Sequence, residues 1–141
     1  ENARVPREYF AAFHEAIERA QIYGRVVVSV LPEVQYPDMV AEVADFLLRL
    51  DEVEWACAIG RYQDYLHVSL RTTEREVNAG DVLQQVLGSR WAGGHDMIAG
   101  GRMQINGSGP EAAVVAADQV RTRLLAALEA TGVAGRPLVS G

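Results

Sequence analysis

Seven residues near the amino end, Arg25 to Leu31 (RVVVSVL), restrict the fold more than any other stretch of the chain. A continuous β-branched run of this kind reads as a strand. It lacks the polar alternation of a half-wet strand, so it reads as one buried on both faces. Such a strand needs cover, and the flanking sequence supplies it. Val5 to Tyr23 has Phe10, Phe13, Ile17 and Ala20 at helical spacing, with Pro6 at its start and Gly24 as its stop. Pro37 opens a second helix to Leu50, with Val40, Val43, Ala44 and Leu47 on one stripe.

The rest of the chain continues the alternation. Val53 to Ile59 predicts a second strand, Gly60 to Asp64 a turn, and Tyr65 to Arg71 a third strand, together a hairpin. Gly80 to Leu87 predicts a short helix. Trp91 to Gly101 (WAGGHDMIAGG) reads as a glycine-rich loop, and Arg102 to Ile105 as a short strand. Pro110 starts a last helix to Ala130, with Ala113, Ala117, Val120, Leu124 and Leu128 on one face. The order αβαββαβα predicts an α/β fold: a mixed sheet of about four to five strands with helices packed on it. Residues 1–24 read as a helix continuing from an upstream part of a longer protein, since the chain starts without an initiator methionine. Residues 25–132 read as the domain itself, and 133–141 as a loose tail.

Composition removes several function classes. The net charge of the 141 residues is −6, which argues against broad non-specific nucleic-acid binding. The excess lies wholly in residues 1–59, with five Arg against eleven acids; residues 60–106 balance at five and five. A local anion site in the middle is therefore open. Every basic residue is Arg, a planar bidentate donor suited to phosphate, although the codon bias of a GC-rich genome explains the same usage. The single Cys57 excludes an internal disulfide framework, sits in an apolar strand, and makes a reducing cytoplasm the expected compartment. His14, His67 and His95 lack metal-ligand spacing, so no metal site is expected. No apolar run is long enough to span a bilayer.

Two places could carry chemistry. In the third strand Leu66, Val68 and Leu70 point one way, while Tyr65, His67, Ser69 and Arg71 point the other. A histidine, a hydroxyl and a guanidinium on one face could donate several hydrogen bonds to a phosphate, or simply form a solvated outer face. In the glycine-rich loop, Gly93 and Gly94 remove Cβ atoms just before His95, so backbone could approach a ligand or cradle an anion. Gly100 and Gly101 would permit close packing. A tight structural turn explains the same residues.

These two segments together resemble one family. SLRT (Ser69 to Thr72), then Asn78-Ala79-Gly80-Asp81-Val82, then GGHDMIAGG (Gly93 to Gly101) are similar to the C-terminal DHH-associated domain of the DHH phosphoesterases. That family has a strand ending in S-x-R, a short helix and a GGGHxxAAG-type loop. It includes RecJ-like exonucleases, oligoribonuclease–phosphoadenosine-phosphate phosphatases and cyclic-dinucleotide phosphodiesterases. Ala92 and Ile98 depart from the loop pattern, and Thr72 stands where a serine is common.

The resemblance implies a substrate-binding half. Arg71 would pair with a phosphate oxygen and Ser69 would add a hydrogen bond. Gly93, Gly94 and His95 would bind a second phosphate or the terminal nucleotide, His95 contributing to charge stabilisation in the parent. Two manganese (or magnesium) ions would belong to an upstream DHH domain, because this sequence has no Asp-His-His motif. The chain alone would bind no cofactor and hydrolyse nothing. Its acidic charge favours a short oligonucleotide, a nucleoside bisphosphate or a cyclic dinucleotide over a long strand. Partners expected beside the substrate are the upstream domain and a second copy in a homodimer, with no membrane. A nucleotide-sensing module without hydrolysis and a dimerisation domain are the alternative functions.

Overall fold

A computed structural model describes residues 3–140. The strand predicted at Arg25 to Leu31 is β2 (Val26–Leu31), near the middle of a seven-stranded mixed sheet. Before it come α1 (Arg7–Arg19) and β1 (Gln21–Tyr23). After it come α2 (Asp38–Leu47), β3 (Trp55–Tyr62), β4 (Tyr65–Thr72), α3 (Ala79–Leu87), β5 (Ala92–His95), β6 (Ile98–Gln104), α4 (Gly109–Ala127) and β7 (Arg136–Pro137). The spatial order is β5-β6-β4-β3-β2-β1-β7. β2 and β3 run parallel, joined through α2, and the other neighbouring pairs are antiparallel.

The burial of β2 on both faces divides the core in two. Val26 and Val28 face a cluster with Cys57, Leu66, Val68, Leu70 and the buried sides of α3 and α4. Val27 and Leu31 face a second cluster with Ala56, Ala58 and the buried sides of α1 and α2. Ser29 is the polar member of this buried strand; its hydroxyl donates to the Ala16 carbonyl at 2.7 Å and ties α1 to the sheet.

The α/β class is as expected, but the sheet has seven strands rather than four or five. The first helix stops at Arg19, and Gln21–Tyr23 turn back as β1 against β2. Gly24, expected to stop a helix, instead takes φ +63° in the turn between those strands. Phe10 is 67% exposed; Ala16 is the buried residue of α1, Phe13 and Ile17 are half-buried against the same core, and Ala20 is buried just past the helix end. The tail expected to be loose carries β7, paired with β1, and Leu138 donates its N–H to the Ala20 carbonyl. The glycine-rich segment is not a loop: Ala92–His95 and Ile98–Gln104 form an antiparallel hairpin at the sheet edge. Glycine is a poor strand former, so propensity concealed it.

Among the described residues, no helix is long and apolar enough to cross a membrane.

Candidate functional site

Strand register brings the two candidate segments onto one surface. Ser69 of β4, Gly100 of β6 and Gly93 of β5 stand side by side as one row across three strands. The next row is Arg71, Ile98 and His95. On the other side of Ser69, His67 opposes Arg102. Opposed residues share a face. This is the face that carries α1 and α2 further along the sheet, since Arg71 and Ser69 oppose Ala56 and Ala58. The helices do not extend over β6: Ile98, Gly100, Arg102 and Gln104 alternate as exposed residues with the more buried Ala99, Gly101 and Met103. The floor is thus an open strip of sheet beside α2.

The glycines divide into two kinds. A Cβ on Gly80 would lie 2.3 Å from the Gly94 carbonyl oxygen, one on Gly94 2.5 Å from the Ile98 oxygen, and one on Gly101 2.5 Å from the Trp91 oxygen. These three let α3 sit directly on the hairpin and let the hairpin strands close. Gly94 also takes φ +138°. Gly93 and Gly100 differ. A Cβ on Gly93 would meet nothing within 4 Å, and one on Gly100 only the Val68 oxygen at 3.9 Å. Neither has a positive φ. Among the described residues nothing requires glycine there; Gly100 stands next to Ser69, and Gly93 lies one strand further along the same row. The Ser69 hydroxyl makes no hydrogen bond among the described residues, although the residue is only 8% exposed.

Arg71 is held in place by its surroundings. Its Nε donates to Asp45 Oδ1 at 2.5 Å, and one terminal nitrogen donates to the Leu70 and Ala99 carbonyls at 3.0 and 3.1 Å. The guanidinium is nearly buried, whereas Asp45 on α2 is largely exposed. The second terminal nitrogen makes no hydrogen bond to the described residues. Arg71 borders an open depression of about 400 Å³, whose lining includes Asp45, Thr72, Arg75, Met97 and Ile98. The hairpin tip is fixed too: Thr72 N–H donates to the Met97 carbonyl and Ala79 N–H to the Asp96 carbonyl. Asn78 caps α3 through the Asp81 N–H. The segments are therefore positioned before any ligand arrives.

Electrostatics separate the reactive from the inert. Burial pushes the Cys57 thiol up to about 12, with Arg71 opposing, so it is not a nucleophile near neutral pH. Burial and then Arg102 hold His67 below the ordinary histidine value, with Asp38 opposing. The backbone of His95 lies in β5, while its side chain falls outside the described part of the structure. Among the described residues no three His, Cys, Asp or Glu side chains gather as a metal site.

Residues 24–128 match the DHHA1 domain. The chain belongs to the DHHA1 domain family. An uncharacterised protein of Methanocaldococcus jannaschii is 26% identical over 106 residues, 74% of this chain and 22% of that protein. Among solved structures, an exopolyphosphatase-related protein from Bacteroides fragilis superposes with a TM-score of 0.61 at 12% identity, over 89% of this chain and 37% of that one. A pGpG-specific phosphodiesterase from Vibrio cholerae gives 0.56 at 13%, over 89% and 40%. RecJ from Thermus thermophilus, solved with Mg2+, gives 0.55 at 17%, over 86% and 17%. These likenesses establish a shared fold. The chain spans well under half of each of these proteins.

Within this DHHA1 domain, the structure gathers Ser69, Arg71, Gly93 and Gly100, and places the backbone of His95 beside them. Gly94 and Gly101 serve packing on the α3 side. Sequence reasoning missed Asp45 and Arg75. Asp45 reads as one more acid on a solvated helix flank, and only the crossing of α2 over β4 reveals its partner. A larger concavity of about 490 Å³ lies on the α4 side, lined by residues such as Tyr23, Val28, Leu66 and Ala117. None of the candidate site residues Ser69, Arg71, Gly93, Gly94 and His95 is among those that line it.

Proposed function

We propose that this DHHA1 domain is the substrate-binding half of a DHH-family phosphoesterase, acting on phosphate esters of nucleotides or short oligonucleotides. The observation that carries this reading is the row Gly93–Gly100–Ser69 beside Arg71. Two glycines without a reason among the described residues leave bare sheet beside the Ser69 hydroxyl, next to a pre-oriented guanidinium with donor capacity left. A phosphate seated there accepts from Arg71 and Ser69, and the glycines let it rest against the backbone. Arg75 adds a second positive charge at the rim. His95 and the Gly93–Gly94 backbone are assigned to a further phosphate or the terminal nucleotide.

The manganese or magnesium ions that the family resemblance implies do not fit this chain, since no three His, Cys, Asp or Glu side chains gather among its described residues. They belong, with the attacking water, to an upstream DHH domain, and this chain binds and orients. Its acidic balance favours short substrates. A cytoplasmic location and a homodimer fit this reading as further proposals.

Calorimetric titration of the 141-residue chain with a nucleoside 3′,5′-bisphosphate tests it. Binding is expected, weakened at least about tenfold in Arg71→Ala, as loss of a charge-assisted hydrogen bond implies. Equal affinity in the two proteins would overturn the assignment of Arg71.

A further inference from the structure

Beyond the phosphate row, the same strip of sheet continues toward the other end of β4. The rows that follow Ser69 are His67 with Arg102, then Tyr65 with Gln104. Strand geometry puts them about 7 and 13 Å from Ser69. The first of these steps resembles the separation of successive phosphates along an extended nucleic-acid strand.

The chemistry changes along that path. Arg102 is exposed, and its guanidinium carbon lies 4.5 Å from the centroid of the Tyr65 ring. It forms no ion pair among the described residues. Tyr65 is half-buried, and its β3 neighbour Tyr62 meets the His67 ring edge-on at 6.0 Å. The groups facing this step are Tyr62, Tyr65, His67, Arg102 and, from α2, Asp38. Asp38 is an acid, and His67 is held toward its neutral form, so a second phosphate finds no strong site here. A flat, uncharged group does. The guanidinium sits over an aromatic ring on a residue exposed to solvent, and a guanidinium so placed offers a surface on which a nucleobase stacks without sequence preference.

We propose that Arg102, supported by Tyr65, is the platform for the base of a second nucleotide, so that the domain selects substrates of at least two nucleotides over single nucleotides. The proposal rests on Ser69 and Arg71 binding the first phosphate, and its test separates the two. Calorimetry would compare adenosine 5′-monophosphate with the dinucleotide pApA on the wild-type chain, Arg102→Ala and Arg102→Lys. The wild type is expected to bind pApA at least about fivefold tighter, the lower end of what one stacked base supplies. Both variants should bring the two ligands to equal affinity while leaving the mononucleotide within about twofold of wild type, since the lysine keeps the charge and loses the plane. Equal binding of the two ligands by the wild type would overturn the platform and leave the phosphate row standing. A dinucleotide preference that survives in Arg102→Lys would overturn stacking in favour of charge alone. Failure of the mononucleotide to bind the wild type would overturn the phosphate row, and the platform with it.

Discussion

At the scale of single residues, Arg71 and Asp45 show why the site is more than a basic patch. A buried guanidinium needs its donors satisfied. Asp45 and two carbonyls satisfy part of them and fix the plane. The same carboxylate repels an arriving phosphate. Asp45→Asn keeps an oxygen to accept from Nε but removes the charge. It should tighten nucleotide binding about two- to fivefold, the range that an exposed charge pair supplies. Calorimetry on the variant checks this; unchanged or weaker binding would mean that Asp45 does not compete with the ligand. The S-x-R spacing put Ser69 and Arg71 on one face from the sequence alone, because alternation along a strand is strictly local. Asp45 was not legible, because its meaning depends on a contact 26 positions away.

At the scale of elements, the β5–β6 hairpin holds the most informative glycines. Gly80→Ala would drive a methyl group into the Gly94 carbonyl, so α3 must lift from the hairpin. Overpacking of this kind costs about 1–3 kcal/mol. Gly93→Ala meets open space and should leave stability within about 0.5 kcal/mol, as surface changes do, while reducing nucleotide binding. Denaturant unfolding paired with a titration separates the two effects. Equal stability in both variants would show that α3 does not rest on Gly94. Sequence reasoning gave this segment the wrong backbone. Glycine pairs read as a turn; what made them strands was pairing to β4 on one side and the packing of α3 on the other. The same limit hid β1 and β7, three and two residues long, whose stability comes from the edge they share.

At the scale of the whole molecule, two helical layers enclose one end of the sheet and leave a strip of the other open. The β-branched run of β2 announced burial on both faces, but not where the cover would stop. His67 lies where cover gives way to that strip. Its protonation is disfavoured in the folded protein by burial and by Arg102. The unfolded chain therefore takes up a proton first as pH falls below about 6.5. Stability from this group is present above that value and declines below it, toward the lowered folded-state value. His67→Gln should flatten the decline in the pH dependence of the denaturation midpoint. An unchanged slope would show that His67 protonates as freely folded as unfolded.

The central claim is that phosphate binds on the open strip and not in the larger cavity on the α4 side. The most direct measurement is an amide shift map of the isotopically labelled chain during titration with a nucleoside 3′,5′-bisphosphate. The account predicts shifts at Ser69, Arg71, Gly93 and Gly100, with Tyr23, Val28 and Ala117 unmoved. Shifts centred on Tyr23, Val28 and Ala117, or none at either place at millimolar ligand, would contradict it.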